Sequence, residues 1–299
     1  MKTINDIVNK AKAIPTQTLV VAVADDSHVL EAVEMARKDN IVNAILVGDK
    51  SNIEAIAKTL DIDLSHYDII NESDHELACQ IAVKEVHDNA NYFLMKGLVS
   101  TSTILSQALN KDYGLRTKNR ISHVSVMEVS THDKLIFMSD GAMNIAPNLD
   151  EKRQIIENSV VIARAIGIDY PKVGVIGAVE KFNPKMEATI HAKELVDLNT
   201  SGTIKHCRVS GPYAIDNAIN KEAAVHKGIT HPDAGEIDIL LMPRIEAGNV
   251  FYKTMMFLAN AKSASVIAGA SKPIVLTSRA DSTMSKYYSI ALGALVAHF

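Results

Sequence analysis

Six consecutive residues, Thr277-Ser278-Arg279-Ala280-Asp281-Ser282, put three hydroxyls, a guanidinium and a carboxylate directly behind the apolar run Ile274-Val275-Leu276. The run reads as a buried strand, and Met284 to Leu295 as a helix. A strand that ends in hydroxyls and one arginine and turns into a helix can hold an anion. The helix start offers unpaired N–H groups and the positive end of its dipole, and the arginine adds a planar fork of donors. The competing reading is a helix cap, in which Ser282 or Asp281 satisfies the first turn and Arg279 is solvated.

Other post-strand loops carry polar groups at the same kind of turn. Lys96-Gly-Leu-Val-Ser-Thr-Ser-Thr103 sets a lysine and a glycine before four hydroxyls, more than one cap needs. Lys96, Ser100 and Thr101 can therefore face a phosphate. Asp140-Gly-Ala-Met-Asn144 reads as a turn. In Ser210-Gly-Pro-Tyr213, Gly211 and Pro212 can simply start a helix. In Glu246-Ala-Gly-Asn249, Gly248 and Asn249 permit close backbone approach to a ligand, or only a tight turn. Arg116 and Arg120, in the basic loop 113–120, are either anion contacts or solvated surface.

Several chemistries are excluded by spacing. No G-x-G-x-x-G follows a strand, no Walker A run is present, and Gly174-Val-Ile-Gly177 falls inside a strand pattern. No G-x-S-x-G elbow exists for an acyl-serine. The 11 histidines show no HxH or HExxH spacing, so no metal is expected. Cys79 sits in an apolar helix pattern and Cys207 alternates with Val209, which places both in a core rather than at a nucleophile position. With a net charge of −4 and both signs mixed along 299 residues, neither nucleic acid nor an anionic membrane is an expected partner. An anionic substrate must be gathered by local groups. The N-terminus lacks an apolar signal core, no run of about 18 apolar residues occurs, and the two cysteines suggest no disulfide framework. The expectation is a cytoplasmic chain.

The elements that position these loops alternate. A helix over 3–13 is followed by strands at 19–23, 44–47, 67–70 and 92–95, separated by helices at 28–37, 52–60, 74–86 and 101–109. Near-continuous apolar strands between amphipathic helices predict an α/β fold of mostly parallel sheets covered by helices on both faces. Runs at 121–129 and 134–139 stand four residues apart, which suits an antiparallel hairpin. Alternation then resumes: helix 151–166, strand 172–176, helix 185–197, strand 203–209, helix 213–226, strand 237–242, helix 248–260, strands 264–267 and 274–276, and helix 283–297. Two domains are expected, 1–130 with 268–299 and 131–267.

Taken together, Lys96-Gly-Leu-Val-Ser-Thr, Ser139-Asp-Gly-Ala-Met-Asn, Asn183-Pro-Lys-Met, Ser210-Gly-Pro-Tyr-Ala-Ile-Asp-Asn, Glu246-Ala-Gly-Asn and Thr277-Ser-Arg-Ala-Asp-Ser occur in the order seen in phosphate acetyl/butyryltransferases. The likeness runs from about residue 15 to the C-terminus, and the chain resembles the butyryl branch more than the acetyl branch. The resemblance implies an isocitrate/isopropylmalate dehydrogenase-like architecture of two α/β domains, an active-site cleft between the domains, and a homodimer. It implies the reaction of a short acyl-CoA, butyryl-CoA first, with inorganic phosphate to give acyl phosphate and CoA. Transfer is direct in a ternary complex, with no cofactor and coenzyme A thioester as a substrate. Acetyl-CoA as substrate, or a catalytically silent binding relative with a regulatory role, are the alternatives. The acetyl branch assigns Ser278 to orienting the thiol and Arg279 to binding phosphate. Its base is an aspartate that falls, counted without gaps, on Ser285, so Asp281 or another residue must serve. Lys96, Ser100, Thr101 and Arg116, with Gly211, Pro212, Glu246, Gly248 and Asn249, are the expected substrate contacts.

Overall fold

The computed structural model describes residues 1–278 and 281–299. Its elements, in chain order, begin with α1 (Ile4–Lys12), β1 (Gln17–Ala22), α2 (Ser27–Lys38), β2 (Val42–Gly48), α3 (Lys50–Leu60), β3 (Asp68–Asn71), α4 (His75–Asp88), β4 (Tyr92–Lys96) and α5 (Thr101–Ala108). Next come β5 (Ser122–Glu128), β6 (Ile136–Ser139), α6 (Leu149–Ala165), β7 (Lys172–Ile176), α7 (Glu187–Thr200), β8 (Arg208–Tyr213), α8 (Ile215–Ile219) and α9 (Lys221–His226). The chain finishes with β9 (Ile239–Leu241), α10 (Ile245–Phe257), β10 (Lys262–Ala268), β11 (Ile274–Val275) and α11 (Thr283–His298). Two compact units result, one of residues 4–119 with 263–299 and one of residues 1–3 with 120–262, so both strands of the β5–β6 hairpin share a unit. Among the described residues no helix is long and apolar enough to cross a membrane.

In the first unit the strand order is β3-β2-β1-β4-β11-β10. Every pairing is parallel except β10 with β11. Leu19 to Ala22 and Phe93 to Met95 are fully buried, as central parallel strands covered on both faces require. Helices α4 and α5 pack together on one face, with α4 against β1, β2 and β4. On the other, α11 lies against β1, β4 and β11 and packs with α1 and α2. Gly293 lets α11 come down onto the sheet, since a Cβ there would stand 2.7 Å from Val275 Cγ2 and 2.8 Å from the Phe93 ring.

In the second unit the order is β5-β6-β9-β7-β8, an antiparallel hairpin followed by parallel strands. The period of two sends Ile136, Met138, Leu240 and Met242 to one face, where α8 and α10 supply Ala218, Phe251, Tyr252 and Met255. Three expected elements shift. Residues 203–207 do not form a strand, because the Asn199 amide donates to Ile204 O and Cys207 O and His206 takes a left-handed φ of 62°. The strand instead continues through Gly211 and Pro212 to Tyr213, whose carbonyl accepts Gly177 N–H at 2.8 Å. The helix expected over 213–226 is broken at Asn220, which leaves the helical region (φ −125°) and caps α9 by accepting Ala223 N–H. Finally, α10 starts at Ile245, so Glu246, Gly248 and Asn249 lie inside its first turns.

The first unit is also tied by a buried charge. Glu34 on α2 accepts two hydrogen bonds from Arg37, at 2.8 and 3.0 Å, and one from Tyr67 ahead of β3. The Arg37 guanidinium holds this carboxylate down to about 2, against its burial. A depressed carboxylate contributes stability above its unfolded value, and that contribution is lost as pH falls toward 2. Glu34→Gln is therefore expected to cost roughly 3 kcal/mol in denaturant unfolding at pH 7. The difference from the parent should shrink below pH 4.5 and close near pH 2.

Candidate functional site

Ligands of open α/β sheets bind outside the carboxyl ends of the parallel strands. In the first unit those ends include β1, β4 and β11. The loop after β4 crosses the end of β1 at backbone contact distance: Gly97 N–H donates to Ala22 O and Leu98 N–H to Val23 O, both at 2.8 Å. A Cβ on Gly97 would lie 1.9 Å from Val23 O, so only glycine fits. Val23, a β-branched residue, is held at a left-handed φ of 57°, a strained backbone at the strand end. Lys96 is buried there, and its Nζ donates to Gly97 O at 3.1 Å and Val99 O at 3.0 Å, bracing its own loop. Ser100 caps α5, accepting Thr103 N–H at 3.1 Å, and its Oγ also meets the hydroxyls of Ser102 and Thr103. Thr101 opens α5 and is exposed, as is Arg116. Arg116 makes no ion pair among the described residues, while its neighbours are pinned, Leu115 O by Ser271 N–H and Thr117 Oγ1 to Gly269 O.

The stretch after β11 closes on itself. Ser278 N–H donates to Asp281 Oδ2 at 2.7 Å, and Asp281 N–H donates back to Ser278 O at 3.1 Å. Thr277 is buried and Ser278 exposed. Ser282, not Asp281, caps α11 by accepting Ser285 N–H, and its hydroxyl donates to Ser285 Oγ. Ser285 is thus part of the helix cap. Arg279 and Ala280 lie outside the described residues. A residue passed over in the sequence joins the loop: Lys286, on α11, sends its Nζ to Ser278 O at 3.0 Å and Asp281 O at 3.2 Å. Burial pushes this ammonium down, while Asp281 and Asp26 oppose the shift. The available signal was a single charge in an otherwise apolar helix.

In the second unit, the Asp140 and Glu246 motifs serve one another. Asp140 is buried and its carboxylate accepts from the N–H groups of Ala142, Met143 and His123 and from Asn144 Nδ2. Asn144 in turn accepts from Arg120 Nε. A Cβ on Gly248 would lie 2.4 Å from Asp140 O, and Asn249 Nδ2 donates to Gly141 O at 3.1 Å. Close backbone approach is indeed why Gly248 is there, and what it approaches is this chain's own loop. Glu246 is exposed in the first turn of α10. Gly211 and Pro212 form a bulge against Val175, with Gly211 at φ 138°. Beside them a cavity of about 300 Å³ is lined also by Lys181, Lys227, Thr230 and His231.

The second unit also buries an amine. Lys152, 1% exposed in the first turn of α6, places Nζ 2.8 Å from His191 Nδ1 on α7. Burial pushes Lys152 down to about 8; Glu187 opposes the shift and Arg244 adds to it. Burial also pushes both thiols, Cys79 and Cys207, up to about 12, which removes them as nucleophiles near neutral pH. A lysine whose folded value lies below its unfolded value weakens the fold while charged, and that penalty disappears as pH rises from about 8 to 10.5. Lys152→Met is therefore expected to raise the unfolding free energy at pH 7 by about 1–3 kcal/mol. The gain over the parent should diminish through pH 8–10.5 in paired denaturant titrations.

Comparison with known proteins agrees over nearly the full chain. Phosphate butyryltransferase of Clostridium beijerinckii is 47% identical over 296 residues, 99% of this chain and 98% of that protein. Phosphate acetyltransferase of Thermotoga maritima is 44% identical, covering 93% of this chain and 95% of that protein. The crystal structure of a branched-chain phosphotransacylase from Enterococcus faecalis superposes with a TM-score of 0.83 at 31% identity, covering 95% of this chain and 99% of that one. The phosphate acetyl/butaryl transferase family model matches residues 2–84 and 75–294. The chain belongs to the phosphate acetyl/butaryl transferase family.

Proposed function

We propose that the chain transfers a short acyl group, butyryl first, between coenzyme A and inorganic phosphate. The observation that carries this reading is the 47% identity to a phosphate butyryltransferase along 99% of the chain. In the forward direction a phosphate oxygen attacks the thioester carbonyl, the carbon–sulfur bond breaks, and CoA leaves as thiolate; in reverse, the thiol loses its proton and attacks the acyl phosphate carbonyl, the carbon–oxygen bond breaks, and phosphate leaves. No protein nucleophile takes part, and thiols pushed up to about 12 suit that scheme. Ser278 orients the thiol and Arg279 binds phosphate. Asp281 is the base, its carboxylate already bonded to the Ser278 main chain. Lys96, Ser100, Thr101 and Arg116 make further contacts to phosphate or pantetheine. Acetyl-CoA is the second reading, favoured by the 44% identity to a phosphate acetyltransferase.

The reading includes a cytoplasmic homodimer. Cys79 and Cys207 are free and buried, which suits a reducing compartment. Helix α10 is strongly apolar, and although Phe251, Tyr252 and Met255 are partly buried, Val250 is 65%, Phe257 71% and the adjoining Leu258 84% exposed. A second copy covering this face would remove that apolar surface from water. Phe257→Glu is expected to lower the mass measured by light scattering from dimer to monomer; an unchanged dimer would place the interface elsewhere.

CoA release from acetyl-, propionyl-, butyryl- and isobutyryl-CoA, with and without phosphate, tests the reaction. Release should require phosphate and show its highest kcat/KM with butyryl-CoA. One methylene is worth about 1–3 kcal/mol in such a pocket. Release that ignores phosphate would indicate a hydrolase and sink the reading. Asp281→Asn keeps the oxygen that accepts Ser278 N–H but cannot take a proton. Its kcat should fall by about 10²-fold or more at unchanged stability, and near-normal activity would leave Asp281 the loop closure alone.

A further inference from the structure

Lys286 occupies a place where a lysine is costly. It is 4% exposed, it is the lone Lys, Arg, Asp or Glu of α11, and it stands in the first turn, where the helix dipole disfavours a cation. Its neighbours Tyr287 to Leu295 are buried, and docking of the helix is already secured by Gly293 against Val275 and Phe93. An apolar side chain would therefore serve the packing at lower cost. What the ammonium does instead is specific: side chains of a helix lean toward its N-terminus, and Nζ reaches back to two main-chain carbonyls, Ser278 O and Asp281 O. Ser278 is then gripped at both ends of its main chain. Its N–H is held by Asp281 Oδ2, and its carbonyl by Asp281 N–H together with Lys286 Nζ. With both peptide groups fixed, the direction in which Cα–Cβ carries the hydroxyl is fixed too.

We infer that Lys286 is the positioning residue of Ser278, a buried ammonium that aims the Ser278 hydroxyl by holding the carbonyls of Ser278 and Asp281. This rests on the reading of Ser278 as the group that orients the thiol. Lys286 touches neither substrate; it acts through the main chain of the serine. A displacement of about 1 Å in such a group costs on the order of 10²-fold in rate.

The test is a double-mutant cycle on kcat with butyryl-CoA and phosphate, using the parent, Lys286→Met, Ser278→Ala and the double variant, each checked for folding by thermal melting. Lys286→Met should lower kcat by on the order of 10²-fold with both KM values within about threefold. In the Ser278→Ala background the same substitution should change kcat less than about twofold, because the hydroxyl it aims is gone. Lys286→Gln, whose amide keeps donors without charge, should recover most of the lost rate. Should the methionine variant not fold, Lys286→Ala carries the cycle in its place. A kcat unchanged in Lys286→Met overturns the inference, as does an equal loss in both backgrounds. Loss of rate in step with loss of melting temperature, unrelieved by glutamine, overturns it as well. If Ser278→Ala itself retains full kcat, the thiol-orienting reading fails, and the inference with it. Equal losses in the presence of a damaging Ser278→Ala sink the inference alone.

Discussion

The site on the first unit depends on a pairing of two residues. Ile274 and Val275 of β11 lie parallel to Leu94 and Met95 of β4, although the two strands come from distant parts of the chain. Nothing local draws them together; both are fully buried, and the closure entropy of so long a connection is offset only by that burial. Because β11 is so short, α11 does much of the holding. Gly293 seats the helix on Val275 and Phe93, and Tyr287 OH donates to Asp39 at the end of α2. His28 and Glu31 meet Thr283 at the start of α11, tying two helix N-termini to each other. The short strand is therefore gripped from the sheet and from the layer above it.

The same economy governs the two loops at the carboxyl edge of β4 and β11. Each is held by a buried lysine bonded to backbone carbonyls, Lys96 to Gly97 and Val99, Lys286 to Ser278 and Asp281. A lysine with its charge inside the fold rigidifies a loop from beneath and leaves the outer face of that loop open to a ligand. Serine and threonine hydroxyls then serve as caps where the helices begin, Ser100 for α5 and Ser282 for α11. Caps and ligand contacts draw on the same residue types, which is why such loops read two ways in a sequence.

Much of the fold was legible because its signals are periodic. The strands β1, β2 and β4 each contain an uninterrupted apolar run, and the four residues between the runs at 121–129 and 134–139 left room only for the antiparallel hairpin β5–β6. The misread stretches are those in which a side chain replaces a backbone partner. Asn199 takes the carbonyls of Ile204 and Cys207 by its amide, and no periodicity records that. Gly211-Pro212 read as a helix start because both residues favour one, whereas the bulge opposite Val175 needs a partner strand to exist. For the site, residue types located the loops but not the division of labour within them. Lys286 was hidden by its own helix, and Gly248 faced Asp140 across a separation that spacing alone does not reveal.

The two thiols carry a consequence beyond their silence as nucleophiles. Raised to about 12, Cys79 and Cys207 hold about one thiolate in 10⁵ near pH 7. A protein that handles thioesters and releases acyl phosphates keeps strong acyl donors at high local concentration, and an ordinary surface cysteine would slowly accept the acyl group. Enclosing both sulfurs in hydrocarbon withdraws the thiols from that side reaction. It also makes the chain a quiet background for labelling: a cysteine introduced at an exposed position such as Arg116 would be the one sulfur that a maleimide finds.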